Sequence, residues 1–187
     1  MLEKILVGCI LVTYNPEFPL LKKVFMSVKD QVDSILIVDN NSNNFKNIQS
    51  LVKGFKKVRI IHNTENLGVA SAYNIGKKVL LSSKIDYILL LDQDTILHRT
   101  YVYDIFTAYN NLSDKHRQLN VGLLTALAYK RREGSVGLKL ARKVWNGLSK
   151  NTLRFNEDFE EIKSVINSGS LIKRAVFQNL DYNDAFF

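Results

Sequence analysis

Asp92 and Asp94 flank Gln93 directly after the apolar run Ile85–Leu91. Two carboxylates at that spacing suit a hard divalent cation that also takes phosphate oxygens, and so a diphosphate ligand. The plainer reading of the same pair is a helix cap at Asp92 and a solvated Asp94. Asp39 follows the run Ser34–Val38 in the same way. It is placed either to accept from a ribose hydroxyl or a base N–H, or to cap the next helix. Thr13-Tyr14-Asn15 follows a third apolar run, Ile5–Val12. Gly68, in Asn66-Leu67-Gly68, permits close backbone approach or a left-handed turn, and the helix behind it offers free N–H groups to an anion. The alternative is an ordinary turn glycine.

These clusters need elements to position them. Ile5–Val12, Ser34–Val38, Val58–Ile61, Ile85–Leu91 and Val121–Leu127 are predicted as strands. Leu20, Leu21, Val24, Phe25 and Val28 recur on one helix face, and Val69–Leu81 and Tyr101–Leu112 have helical composition. The segment from Asp39 to Gly54 is polar, and Arg131–Lys150 is a basic excursion of unassigned structure. Continuous apolar strands alternating with helices predict an α/β fold, with a mostly parallel sheet covered by helices on both faces. Ligands of such sheets bind beyond the carboxyl ends of the strands. Three of those ends carry the polar clusters, so the clusters should converge on one rim.

The 187 residues are 46% hydrophobic and 24% charged, which fits one globular domain able to bury about 70% of its unfolded surface. No apolar run approaches the roughly 20 residues of a membrane span. The lone Cys9 and the lack of a signal-peptide layout point to a reducing, cytoplasmic setting. From Lys115 to Arg154, ten Lys and Arg face the single acid Glu133, a local balance of +9. The rest of the chain therefore carries −1 of the total +8, so the basicity is regional. Lys139, Arg142, Lys143 and Trp145 surround Leu138, Leu140 and Val144, which suggests peripheral contact of Lys130–Arg154 with an anionic membrane, or else a solvated basic face. A nucleic-acid partner is not expected, since no helix-turn-helix or aromatic-interleaved strand motif accompanies the charge. Neither GxGxxG nor GxxxxGK[ST] occurs, against dinucleotide oxidoreductases and P-loop enzymes. His62, His98 and His116 lack ligand spacing and read as surface residues. Ser42 and Ser71 have no evident His partner, so a hydrolase triad is unsupported.

Val12-Thr13-Tyr14-Asn15, Val38-Asp39-Asn40-Asn41-Ser42, the run NLGVASAYNIG at 66–76 and LLLDQDT at 89–95 together resemble family 2 glycosyltransferases, and within them the bacterial rhamnosyltransferase branch. The likeness covers Ile5–Thr95 and resumes at Asn167-Ser168-Gly169-Ser170. It implies a GT-A fold and inverting transfer from a nucleoside-diphosphate sugar, dTDP-rhamnose in its most specific form. A Mg²⁺ or Mn²⁺ ion, and a saccharide or lipid-linked acceptor of cell-surface polysaccharide synthesis, complete what it implies. Thr13, Tyr14 and Asp39 would then hold base and ribose, with Asn15 in the same nucleotide-sugar site; Gly68 and Asn74 would shape the nucleotide pocket, and Asp92 would face the ribose. Asp94 would bind the metal, and Ser168 and Gly169 would lie on the acceptor side. The domain would divide into a donor half at about 1–127 and an acceptor half at about 128–187. In the family, the general base follows a segment similar to Leu180–Phe187, so it is expected beyond Phe187, and neither Asp181 nor Asp184 is assigned to that role. The chain thus resembles a truncated enzyme with exposed Phe186 and Phe187. The alternative is an inactive nucleotide-sugar-binding domain without its base.

Overall fold

The computed structural model describes residues 4–110, 121–130, 136–144, 154–155, 159–161 and 168–182. In chain order the elements are β1 (Val7–Thr13), α1 (Phe18–Val28), β2 (Ser34–Asp39), α2 (Phe45–Val52), β3 (Val58–His62), α3 (Gly68–Leu80) and β4 (Tyr87–Asp92). There follow α4 (Tyr101–Asn110), β5 (Val121–Lys130), β6 (Val136–Val144), β7 (Arg154–Phe155), β8 (Phe159–Glu161), β9 (Ser170–Lys173) and a single turn, α5 (Arg174–Phe177). The strands form one sheet in the order β3-β2-β1-β4-β9-β5-β6-β8-β7.

The four strands β3-β2-β1-β4 are parallel, and the unbroken apolar runs of β1, β2 and β4 fit a sheet buried on both faces. Every residue of β1 is buried. Alternate side chains feed two cores. Cys9, Leu11, Ile35, Ile37, Leu89 and Leu91 pack beneath α1, α2 and α4 through Leu21, Val24, Phe25, Ile48, Val102 and Ile105. On the other face Ile10, Val12, Leu36, Val38, Ile88 and Leu90 meet Ala72, Tyr73 and Leu80 of α3 and Phe177 of α5. Helices therefore cover both faces, and each crossover returns the chain to the same end of the sheet. Beyond β4 the pairing turns antiparallel, with β9 against β4 and against β5, and β5 against β6, while β6 and β8 run parallel.

Two elements depart from the sequence expectation. Helix α2 lies inside the segment read only as polar; Ile48 and Val52 are its buried side chains, too few to mark a helix by periodicity. The basic excursion contains β6, a nine-residue strand paired along its length with β5. Trp145, His116, Asp184, Phe186 and Phe187 lie outside the described residues. No described helix is long and apolar enough to cross a membrane.

Gly76 sets how closely α3 approaches β1. A Cβ there would stand 2.8 Å from Ile10 Cγ2 and 2.9 Å from its Cδ1, inside contact distance. Alanine at this position gains helix propensity, worth about 1 kcal/mol, but must push α3 off the sheet at a cost of about 1–3 kcal/mol. The crowding should win, because Cγ2 is attached directly to the Cβ of a fully buried strand residue and has nowhere to swing. Gly76→Ala should lower the unfolding free energy by about 1 kcal/mol in urea titration; an unchanged or raised midpoint would refute the packing argument.

Candidate functional site

The register of the parallel strands places their carboxyl ends side by side: Thr13 opposite Asp39, Asp39 opposite His62, and Val12 opposite Asp92. Asp39 is the hub of this rim and is fully buried. Its Oδ1 accepts from Thr13 Oγ1 at 2.7 Å and Ser42 Oγ at 2.5 Å. Its Oδ2 accepts from the Ser42 N–H at 2.9 Å and lies 2.8 Å from His62 Nδ1. A carboxylate oxygen only accepts, so Nδ1 carries the proton and donates. Four donors from the ends of β1, β2 and β3 thus saturate one buried charge, without which its burial would be strongly unfavourable.

A layer of amides extends the hub. Asn40 donates from Nδ2 to the Gly68 carbonyl at 3.0 Å and accepts at Oδ1 from Asn63 Nδ2 at 2.8 Å. Gly68 itself sits at φ 78°, a left-handed turn that opens α3 and that any side chain would strain. Asn15, at φ 44°, donates its N–H to Ser42 Oγ and accepts at Oδ1 from the Asn43 N–H, each at 2.8 Å. Its side chain therefore shapes the loop while the residue stays exposed.

Tyr14 is 45% exposed, with its backbone held between strand ends. Its N–H donates to Gln93 Oε1 at 2.7 Å, and its carbonyl accepts from Gln93 Nε2 at 3.2 Å. The residue between the two aspartates is thereby explained: Gln93 staples the end of β4 to the end of β1. Asp92 is half-buried and accepts from the Tyr73 hydroxyl at 2.8 Å. Burial, reinforced by the Asp92 charge, pushes the Tyr73 hydroxyl far above its ordinary range, so it stays a donor. Asp94 is exposed and has no partner among the described residues.

Ser168 and Gly169 bring the far half of the sheet to this rim. Ser168 Oγ accepts from the Asp92 N–H at 2.9 Å and donates to Thr95 Oγ1 at 2.8 Å. Gly169 sits at φ 83°, where an added Cβ would stand 3.0 Å from the Tyr101 hydroxyl oxygen. Asn74 holds the chain after α5: Nδ2 donates to the Tyr182 carbonyl at 2.9 Å and Oδ1 accepts from the Tyr182 N–H at 3.0 Å. One turn on, Lys77 donates to the Leu180 carbonyl and lies 2.5 Å from Asp181 Oδ1. That hydrogen bond, with the Lys77 charge, holds the Asp181 carboxyl below the usual range.

Among the described residues no three His, Cys, Asp or Glu side chains stand together as a metal site. Asp94 and the second oxygen of Asp92 can still give two hard oxygen ligands to a cation that draws its others from phosphate and water, a donor set that fits Mg²⁺ or Mn²⁺. A cavity of about 680 Å³ lined by Lys4, Leu6, Ser83, Asp86 and Arg174 opens at the amino ends of the strands, away from this chemistry. The structure thus gathers Thr13, Tyr14, Asn15, Asp39, Gly68, Asp92, Asp94 and Ser168 on one rim. Asn74 and Gly169 stand one step behind it. Ser42, His62, Tyr73, Lys77 and Gln93 were not legible as site residues, although His62 closes an apolar run as Asp39 and Asp92 do.

Residues 9–181 match the family model for Glycosyl transferase family 2, and the chain belongs to that family. It is 25% identical over 171 residues to the dTDP-rhamnosyl transferase RfbF of Shigella flexneri, a match covering 90% of this chain and 54% of the relative. The chain therefore spans about half the length of that relative. Among solved structures it resembles S. aureus TarS in complex with UDP-GlcNAc, with TM-score 0.60 and 13% identity over 94% of this chain and 47% of TarS. It also resembles the 4-diphosphocytidyl-2C-methyl-D-erythritol synthase of Anaerococcus prevotii, with TM-score 0.56 and 11% identity over 97% of this chain and 80% of that one. At these identities the structures establish the α/β GT-A architecture alone.

Removing the hub should be costly. Asp39→Ala strands four buried or half-buried donors and should lower the unfolding free energy by about 3 kcal/mol in denaturant titration. A loss under about 1 kcal/mol would mean that the strand ends hold without it. The Lys77–Asp181 pair makes a prediction about acid. Because the folded-state value of Asp181 is depressed, its contribution is full above the unfolded value near 4 and is lost as pH falls through the folded value. Amide exchange at 180–182 should accelerate below about pH 4, relative to the rest of the chain, and Asp181→Asn should show the fast exchange already at neutral pH.

Proposed function

We propose that this member of glycosyl transferase family 2 binds a nucleoside-diphosphate sugar on the rim of β1, β2 and β4 and transfers the sugar, with inversion, to a saccharide or lipid-linked acceptor. The observation that carries the reading is the register of Thr13, Asp39 and Asp92 on one parallel sheet, with the exposed Asp94 one loop residue beyond Gln93. dTDP-rhamnose is the donor we favour, supported by the likeness to a dTDP-rhamnosyl transferase and by the motifs of the rhamnosyltransferase branch. The UDP-GlcNAc bound by TarS supports the broader class. Thymine and uracil offer the same edge, an N3–H donor between two carbonyls, so one base pocket serves either.

In this mechanism the exposed Tyr14 ring provides a stacking face for the base, and its backbone position is set by Gln93. Asp92, fixed by Tyr73 and Ser168, is aimed at the ribose and diphosphate. A divalent cation held by Asp94 and Asp92 would offset the charge of the departing diphosphate. Residues 1–127 form the donor half and 128–187 the acceptor half, joined where Ser168 meets Asp92. Asp181 is committed to Lys77 and takes no part in removing the acceptor proton. The protein works at the cytoplasmic face of a membrane, with the basic segment Lys130–Arg154 touching anionic headgroups.

Calorimetric titration of dTDP with Mn²⁺ and with chelator tests the cation: affinity should fall at least tenfold in chelator, and Asp94→Ala should bind equally weakly in both. Equal affinity with and without metal in the unsubstituted chain would sink the assignment. In a competition series, dTDP-rhamnose should outbind UDP-glucose and UDP-galactose; tightest binding by a UDP sugar would refute the donor and leave the rim standing. Vesicle co-sedimentation should show salt-sensitive attachment to anionic and not neutral bilayers, and no difference between them would retire the membrane contact.

A further inference from the structure

We propose that His62, a residue outside the motifs of the family, reads the base of the donor through its Nε2 atom, with Asp39 behind it as the positioning residue. The inference rests on the nucleotide reading above and assigns its base contact. Asp39 is fully buried and both its oxygens already accept two hydrogen bonds. A ligand reaches that carboxylate only by displacing a donor from β1, β2 or β3. His62 stands one strand further out in the same register, opposite Asp39, with its side chain 36% exposed.

Two contacts fix the ring. Nδ1 donates to Asp39 at 2.8 Å, and the face stacks on Phe45 with centroids 3.8 Å apart and planes inclined by 19°. In the neutral ring, a proton on Nδ1 leaves the lone pair on Nε2, which has no partner among the described residues. The site therefore presents an oriented acceptor at the rim, and the chemistry that matches it is a ring N–H. Thymine and uracil carry that donor at N3, where cytosine carries an acceptor. The buried carboxylate thus acts at one remove: it selects the tautomer, and the histidine delivers the recognition.

The test compares dTDP with N3-methyl-dTDP, in Mn²⁺, on the full 187-residue chain and on His62→Asn. The asparagine amide keeps a donor for Asp39 and places nothing where Nε2 stood. In the unsubstituted protein N3-methylation should weaken binding about tenfold, the measure of one hydrogen bond. His62→Asn should keep its melting temperature, bind dTDP about tenfold more weakly, and be indifferent to the methyl group. A methylation penalty that persists in His62→Asn overturns the proposal and leaves nucleotide binding intact. Absence of dTDP binding by the unsubstituted chain overturns the nucleotide reading and this proposal together. Independently of any variant, diethyl pyrocarbonate should modify His62 in the free protein and be blocked by dTDP, with the exposed His98 as the unprotected control. Modification of His62 undiminished by saturating dTDP also overturns it.

Discussion

A carboxylate buried without a counter-charge of its own is tolerable only if donors fill its lone pairs, and at Asp39 those donors come from three successive strand ends. That requirement constrains the rim more tightly than the apolar core does. Apolar packing beneath the sheet is set by area and volume, while the register of the strands is fixed by their backbone pairing. Hydrogen bonds to Asp39 at 2.5–2.9 Å tie the strand ends together. The Thr13 hydroxyl, the Ser42 turn and the His62 ring are each held at a fixed place relative to one another. Asn40 and Asn63 then carry the same order to the turn at Gly68.

This explains which parts of the fold were legible in the amino-acid order. Strands β1, β2 and β4 announce themselves because both of their faces are covered, so nothing polar interrupts them until the rim. The polar residues that follow are conspicuous by contrast, and Thr13, Tyr14, Asn15, Asp39, Asp92 and Asp94, read from them, stand at neighbouring strand ends. Helix α2 escaped because an eight-residue helix with two buried positions has almost no periodic signal. Strand β6 escaped because Lys139, Arg142 and Lys143 break up the apolar run by which the other strands are read, although its main partner is the adjacent strand β5. The contact of Asn74 was hidden because the backbone of Tyr182 lies 108 residues away.

The hub also shows why residue type alone misassigns roles. An aspartate at a strand end reads equally well as a ligand and as a cap, since both uses need an acceptor near free N–H groups. Burial separates the two. Asp39 is wholly enclosed and filled by the protein's own donors, whereas Asp94, two residues past the end of an equivalent strand, is exposed and unfilled. The pair Asp92 and Asp94 divides the same way, with Asp92 engaged by Tyr73 and Asp94 open. In both comparisons the filled carboxylate builds the rim, and Asp94 is the one left open.

Helix α3 joins these two kinds of residue into one body. Tyr73 reaches Asp92, Asn74 clasps the backbone of Tyr182, and Lys77 grips Leu180 and Asp181. The three side chains lie within two turns of a helix pressed against β1 through the bare face of Gly76. A shift of α3 therefore moves the carboxylate at the end of β4 and the segment after α5 together. Tyr182 also packs against Tyr73, with ring centroids 5.3 Å apart, so the clasp and the Asp92 hydrogen bond share one aromatic contact. The connection runs through part-buried side-chain contacts of α3, beside the four-residue antiparallel pairing of β4 with β9 that ends at Leu90 and the Ser168 hydrogen bond to the Asp92 N–H.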